Sequence, residues 1–361
     1  MIFDASAPLG PVFRDAIVAI LEEVLAVRKT EITDLDAALG PLVDLMTPLA
    51  VGGKHIRAAF VWWGHVAVAG EPADPGPLRK LAASLDLVHA GLLAHDDLID
   101  DAATRRGLPS LHKAAGALAS PPNGSLGDAA AVIGGVLLMQ WGEQLAEQSG
   151  LLKPAARVAF DDLLTRVLTG QLADAWASAG RRLTGPGGGT KLSHAQAVAE
   201  IDDLKSASYT VVGPTRLGAL AADADEKQLD ALERFAIPVG RAFQARDDVL
   251  GVFGDEARTG KPAGNDLRQG KVTSLVESAL HLASAEETAD LRSIIGDAGA
   301  TDADVARARD IIASCGALAA VEQAISGNVT TALSALADAK LRPAGRAGLI
   351  CLAQAATNRD R

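Results

Sequence analysis

Leu85-Asp86-Leu87-Val88-His89-Ala90-Gly91-Leu92-Leu93-Ala94-His95-Asp96-Asp97-Leu98-Ile99-Asp100-Asp101 is the stretch from which the rest of the chain can be read. Its apolar residues recur at three- and four-residue spacing, the period of a helix, and it ends in four acids within six residues. On a helix Asp96 and Asp100 share a face, so two carboxylates converge within reach of one hard cation. Magnesium keeps several waters and is commonly completed by phosphate oxygens, so such a pair is a half-site rather than a cage. The four acids also repel one another, and a helix that holds them amid apolar sequence needs a countercharge, which a bound metal would supply. A bare Asp-Asp pair is more often a solvated acidic face. The chain contains two of those, Asp161-Asp162 and Asp202-Asp203, and neither has an acid four residues after its first member.

Working outward, the acids are followed by Ala102-Ala103-Thr104-Arg105-Arg106-Gly107. Guanidinium forks suit phosphate oxygens, although Arg105 and Arg106 could equally pair with Asp100 and Asp101. Far downstream, Phe243-Gln244-Ala245-Arg246-Asp247-Asp248-Val249-Leu250-Gly251, then Gly260-Lys261-Pro262 and Asp266 to Lys271, repeat the order of acids followed by cations. Two such segments would form opposing walls that grip one diphosphate through shared metal ions. Upstream, Gly52-Gly53-Lys54-His55-Ile56-Arg57 puts Lys54 and Arg57 on one face, just after a glycine pair that can open a helix, so that backbone amides and two cations point at an anion. His89 lies on the same stripe as Asp96, about 10 Å away by helix rise; a lone histidine there is also compatible with an ordinary core residue.

The composition agrees with a globular, helical protein. The chain has 361 residues, 48% hydrophobic, with a net charge of −11, and can bury a large core. The acidic balance argues against a nucleic-acid or anionic-lipid surface. Apolar periodicity over Phe13 to Val27, Leu78 to Leu93 and Ala195 to Leu220 predicts helices. Gly and Pro clusters at Glu71 to Pro77, Ser120 to Gly127 and Leu183 to Thr190, and the polar stretch Gly254 to Gly270, read as loops. No secretory signal is visible, and the longest apolar run, Ala129 to Met139, falls well short of the roughly 20 residues a membrane span needs. A cytoplasmic protein is expected. Cys315 and Cys351 are expected to be buried thiols, with neither a disulfide framework nor a zinc site.

Taken together, these residues resemble the trans-type polyprenyl synthetase family, which includes farnesyl and geranylgeranyl diphosphate synthases, over about residues 52–271. The resemblance implies an all-α fold, a single helical bundle of the isoprenoid synthase type over residues 1–361 with a central apolar cavity, and a likeness to homodimers. It implies a magnesium-dependent prenyltransferase that joins isopentenyl diphosphate to an allylic diphosphate. Asp96, Asp97 and Asp100 look like the first metal-binding motif, and Asp247 and Asp248 like the second. Lys54, Arg57, His89 and Arg106 fall where the family holds isopentenyl diphosphate. Arg105, Lys205, Ser206, Gln244, Lys261 and Lys271 fall at the allylic diphosphate, with Arg105, Lys205 and Lys261 counted among the catalytic residues beside Asp96, Asp97, Asp100 and Asp247. Gly91 and Leu92, one turn before Asp96, would set chain length; with no aromatic plug there, the expected product is the twenty-carbon geranylgeranyl diphosphate, and Gly91→Phe would shorten it.

Three departures stand out. Gly251 occupies the place of the last aspartate of the second motif, for which Asp255 is a conceivable substitute; Ser206 replaces a threonine; and Val136 replaces an aspartate expected in the Ala131 to Leu138 helix. A class I terpene cyclase and an inactive regulatory subunit are the alternatives. Retention of Lys54, Arg57 and Arg106 argues against the first, and the intact first motif against the second.

Overall fold

The computed structural model describes residues 2–358 apart from 180, 182, 185–191, 193–195, 198–199, 202, 255–263, 272, 298 and 338, and apart from the side chains of 178, 205, 206 and 265. The described chain is all-α. Its helices are α1 Pro11–Leu35, α2 Gly40–Val51, α3 Ile56–Ala69, α4 Gly76–Ile99, α5 Leu111–Gly116, α6 Gly124–Gln148 and α7 Pro154–Ser178. A π-helical segment, Asp203–Val212, runs into α8 Gly213–Ala221, followed by α9 Glu226–Phe253, α10 Asn265–Arg268, α11 Ser274–Leu282, α12 Ala285–Ile294, α13 Asp302–Ser314, α14 Ala317–Ala337 and α15 Pro343–Thr357. Among the described residues the strands are a two-residue hairpin, Thr104–Arg105 against Leu108–Pro109.

Local chemistry explains where these helices begin. Prolines in the first turns of α1, α2 and α4 occupy positions whose N–H would have no helical partner. Reciprocal capping boxes, Ser284 with Glu287 and Thr301 with Asp304, start α12 and α13. Asn123 accepts from the Leu126 N–H and opens α6, so the loop read at Ser120 to Gly127 yields to helix from Gly124 on.

The chain divides into two compact units that interleave in sequence. One comprises residues 1–158, 214–229 and 340–352; the other comprises 159–213, 230–339 and 353–361. In the first unit every residue of α3 from Ala58 to Ala67 is buried, Trp62 and Trp63 among them, as befits a helix that is apolar all round. α4 is buried over Leu81 to Val88, and α6 lies along it at close range because glycines remove the side chains between them. A Cβ at Gly142 would stand 2.7 Å from the Ser84 carbonyl oxygen and 2.8 Å from Val88. In the second unit Val249 and Val252 of α9 pack with Leu275, Leu291, Ile312 and Ile325. Cys315 and Cys351 are free thiols that are only partly buried, short of the full burial expected of them; Cys315 stands at the C-terminal cap of α13.

Gly142→Leu should lower the unfolding free energy by about 1–3 kcal/mol through overpacking. Gly327→Ala in α14, where an added Cβ meets nothing within 4 Å, should raise it by about 0.5–1 kcal/mol. Guanidinium unfolding followed by circular dichroism reads both.

Candidate active site

α4 delivers its acids at the end of a helix, where carbonyl oxygens point outward and negative charge is least welcome. Asp100 closes the helix, its N–H bonded to the Asp96 carbonyl oxygen at 2.9 Å. The chain then reverses through Asp101, Arg106 and Gly107, all at positive φ, and the short hairpin carries Arg105 back onto the acids. Arg105 Nε donates to both oxygens of Asp97, at 2.8 and 3.1 Å, while Nη2 also bonds Asp97 and lies 3.5 Å from Asp96. The Asp97 side chain is 0% exposed and that of Asp96 20%. Burial by itself would lower the Arg105 pKa; the bond and charge of Asp97, with Asp96 and Asp100 behind it, more than reverse that and hold it above its ordinary value. Asp101 turns outward and pairs with Lys113 at 2.6 Å.

The four acids therefore separate by task. Asp97 anchors Arg105 and Asp101 anchors Lys113, leaving Asp96 and Asp100 as the pair at the rim, one helical turn apart. Their all-oxygen donor set suits a hard divalent cation. Among the described residues no three His, Cys, Asp or Glu side chains gather at one point, so a cation at Asp96 and Asp100 would draw its remaining ligands from water and phosphate.

A group of cations surrounds His89 in the same unit. Between α2 and α3 the backbone takes positive φ at Gly53 and at His55. The Arg106 guanidinium lies against the glycine pair: a Cβ at Gly52 or at Gly53 would come within 2.7 Å of its nitrogens, so only glycine allows this approach. Arg106 Nη1 donates to the Leu49 carbonyl oxygen at 3.2 Å. His89 is held well below its ordinary pKa, first by burial and then by Arg57, Arg106, Arg105 and His55. The ring is thus neutral at physiological pH, an N–H donor rather than a charge. Arg57, His89, Arg105 and Arg106, separated in sequence, are brought together, with Lys54 exposed beside His55.

One pair escaped the sequence reading. His55 Nδ1 lies 2.8 Å from Asp86 Oδ2, both side chains buried. The signal was Asp86 itself, an acid in the most apolar part of α4, which required a partner.

In the second unit, α9 carries Gln244, Asp247 and Asp248. Asp248 is buried and fully engaged: Gln244 Nε2 donates to one oxygen at 2.8 Å, and the Ser274 N–H and hydroxyl donate to the other at 3.1 and 2.7 Å. Burial raises its pKa to about 6 in spite of those bonds. Asp248 thus ties α9 to the start of α11, and Gln244 serves it. Arg246 is likewise committed, to Glu322 and to the Thr357 carbonyl oxygen. Asp247 is partly accessible, and Lys271 is partly buried. Lys261 and Asp255, and the side chains of Lys205 and Ser206, lie outside the described residues.

Gly91 meets the backbone of α6 and not an open wall: a Cβ there would sit 2.4 Å from the Gly135 carbonyl oxygen and 2.7 Å from Met139. Gly91→Phe would therefore first disturb helix packing, and Leu92, partly buried, is the less constrained of the two chain-length candidates. The pair Asp161-Asp162 is exposed, with Asp162 bonded to Arg166, as a solvated face should be.

Removing one member of a buried ion pair strands the other. Asp97→Asn should cost about 3 kcal/mol of stability in metal-free buffer, while Asp96→Asn should stay within about 0.5 kcal/mol of wild type; thermal unfolding with chelator present separates them. Because the His89 pKa is depressed in the fold, the unfolded chain binds the extra proton, and stability is lost as pH falls below the ordinary histidine value of about 6.5. His89→Gln should flatten that slope in denaturant titrations between pH 5 and pH 8, values chosen to bracket the histidine range.

The sequence matches the family model described as polyprenyl synthetase over residues 42–312. It is 30% identical to a geranylgeranyl diphosphate synthase of Mycobacterium tuberculosis over 99% of this chain and 92% of that one. It is 27% identical to a nonaprenyl diphosphate synthase of the same organism, over 92% and 96%. Among solved structures, a geranylgeranyl pyrophosphate synthase of Corynebacterium glutamicum, complexed with isoprenyl diphosphate and magnesium, superposes with a TM-score of 0.88 at 31% identity, covering 99% of this chain and 100% of that one. The chain belongs to the polyprenyl synthetase family and is a prenyltransferase.

Proposed function

We propose that the chain extends an allylic diphosphate with isopentenyl diphosphate to give geranylgeranyl diphosphate, with magnesium as its metal. The observation that carries this reading is the meeting of a two-carboxylate half-site with a cationic cluster through one residue, Arg105, which contacts Asp97 and Asp96 and adds its charge to Arg106 and His89. Asp96 and Asp100 would hold magnesium, which when bound neutralises the diphosphate and eases its departure. Arg105 stays protonated at any accessible pH, so it can stabilise the charge that develops as the allylic carbon–oxygen bond breaks and its electron pair leaves with the diphosphate.

The isopentenyl double bond then attacks the allylic carbocation, a carbon–carbon bond forms, and a proton passes to the released diphosphate. Lys54, Arg57 and Arg106 hold the second diphosphate, and the neutral His89 can donate a hydrogen bond to it without adding a fourth charge. The reaction needs no side-chain nucleophile.

Geranylgeranyl as the product is supported by the near full-length likeness to geranylgeranyl synthases, although a nonaprenyl synthase matches over a similar span. A homodimer is supported by an apolar stripe on α6, where Val132, Ile133 and Val136 are 49%, 60% and 55% exposed. Val136, which stands in place of an expected acid, extends that stripe. A cytoplasmic location fits this reading, and among the described residues no helix is long and apolar enough to cross a membrane.

Incubation with magnesium, isopentenyl diphosphate and dimethylallyl, geranyl or farnesyl diphosphate should yield a twenty-carbon product on reversed-phase chromatography. A cyclic hydrocarbon would assign the chain to the cyclases, and no turnover without a second protein to the regulatory subunits. Arg57→Ala should raise KM for isopentenyl diphosphate about tenfold or more while leaving KM for the allylic substrate nearly unchanged.

A further inference from the structure

In the first motif the rim carboxylates stand at positions i and i+4 of one helix, Asp96 and Asp100. The second motif has Asp247 at the corresponding position i, and four residues on it has Gly251, with no side chain at all. The space above that glycine is filled from another element. A Cβ built on Gly251 would lie 1.8 Å from Asp266 Oδ2, 2.6 Å from its Cγ and 3.4 Å from its own Cβ. The carboxyl group of Asp266 thus sits where a side chain at position 251 would begin, on the face of α9 that Asp247 shares.

Asp266 is held there by its surroundings. It lies in the first turn of α10, whose Leu267 is fully buried in the core of the second unit. The Lys271 N–H donates to its carbonyl oxygen at 2.9 Å. Just before it, Gly264 stands at φ 73°, where a Cβ would strike the Val305 side chain at 2.3 Å, so the bare backbone of Gly264 packs directly on α13. Asp247, Gly251 and Asp266 are all partly accessible, whereas Asp248 is buried and saturated by Gln244 and Ser274.

We propose that Asp266 is a metal ligand of this enzyme, supplying across the helix boundary the carboxylate that Gly251 lacks, so that Asp247 and Asp266 form the second half-site for a divalent cation completed by diphosphate oxygens. Gly251 is then not a defect but the condition for this arrangement, since any side chain there would displace the Asp266 carboxylate. This rests on the metal-dependent reading above and extends it to a residue outside the aspartate motif.

Mn2+ binding to the full chain in the presence of inorganic pyrophosphate, followed by electron paramagnetic resonance of the free ion, tests it without reference to turnover. Asp266→Asn should weaken one class of Mn2+ sites about tenfold or more, as should Asp247→Asn. The double variant Gly251→Asp, Asp266→Ala, which moves the carboxylate onto α9 and clears the space for it, should restore binding. Wild-type affinity and stoichiometry in Asp266→Asn, with Asp247→Asn impaired, would overturn the assignment of Asp266. Wild-type binding in Asp247→Asn as well would instead sink the reading of the second motif as a metal site. Should Asp266→Asn lose its helical circular dichroism, the double variant decides alone: folded and binding supports the proposal, folded and non-binding refutes it.

Discussion

The buried pair of Asp97 and Arg105 is the interaction on which the first motif depends. A helix that ends in four acids has its macrodipole and its side chains working against it, and Asp97, fully enclosed, has a cation in direct contact, the pairing a buried carboxylate requires. Arg105 supplies that cation from a hairpin that brings it back, with Asp101, Arg106 and Gly107 at positive φ. Once Asp97 has absorbed one face of the guanidinium, the arginine is fixed in place and the remaining carboxylates, Asp96 and Asp100, are left at the rim. Anchoring and binding are thus divided between neighbours in sequence that point to different sides of one helix.

The same division recurs in the second unit by different means. Asp248, the second aspartate of its pair, is buried and spent on protein donors, here neutral ones from Gln244 and Ser274 in place of an arginine. That difference in partner explains why Asp248 has its pKa raised while Arg105 keeps Asp97 company as an ion pair. In each motif the first aspartate is the more accessible one. An Asp-Asp dipeptide on a helix serves this purpose because consecutive residues are about 100° apart around the axis, so one can face inward while the other faces out.

The cationic cluster illustrates a balance of opposite sign. Arg57, Arg105 and Arg106 are concentrated around one imidazole ring, and the His89 pKa is pushed well down in response. Asp86, joined to His55, offsets part of the charge from below. Arg106 reaches its place only because Gly52 and Gly53 present bare backbone. Excess positive charge held by fixed groups, with a neutral donor at its centre, is an environment prepared for an anion before the anion arrives.

Much of this was legible in the order of residues. The helical class followed from three- and four-residue apolar spacing, a local property. The rim pair Asp96 and Asp100 followed from helix geometry, and the two decoy pairs could be set aside for want of an acid at i+4; the shared helix face expected of Lys54 and Arg57 did not form, because α3 starts at Ile56 after a left-handed His55 and Lys54 precedes the helix. What one dimension could not show was which acids of a motif are spent inward, since Asp97 and Asp248 are distinguished from Asp96 and Asp247 only by what packs above them. Nor could it show that Gly91 faces a neighbouring backbone, that His55 answers Asp86 thirty-one residues away, or that the space above Gly251 is filled by the Asp266 carboxyl group. Local sequence determined the elements and the chemical types they carry, because periodicity and helix spacing act over a few residues. The tertiary structure decided their roles, because burial and pairing depend on residues distant in the chain.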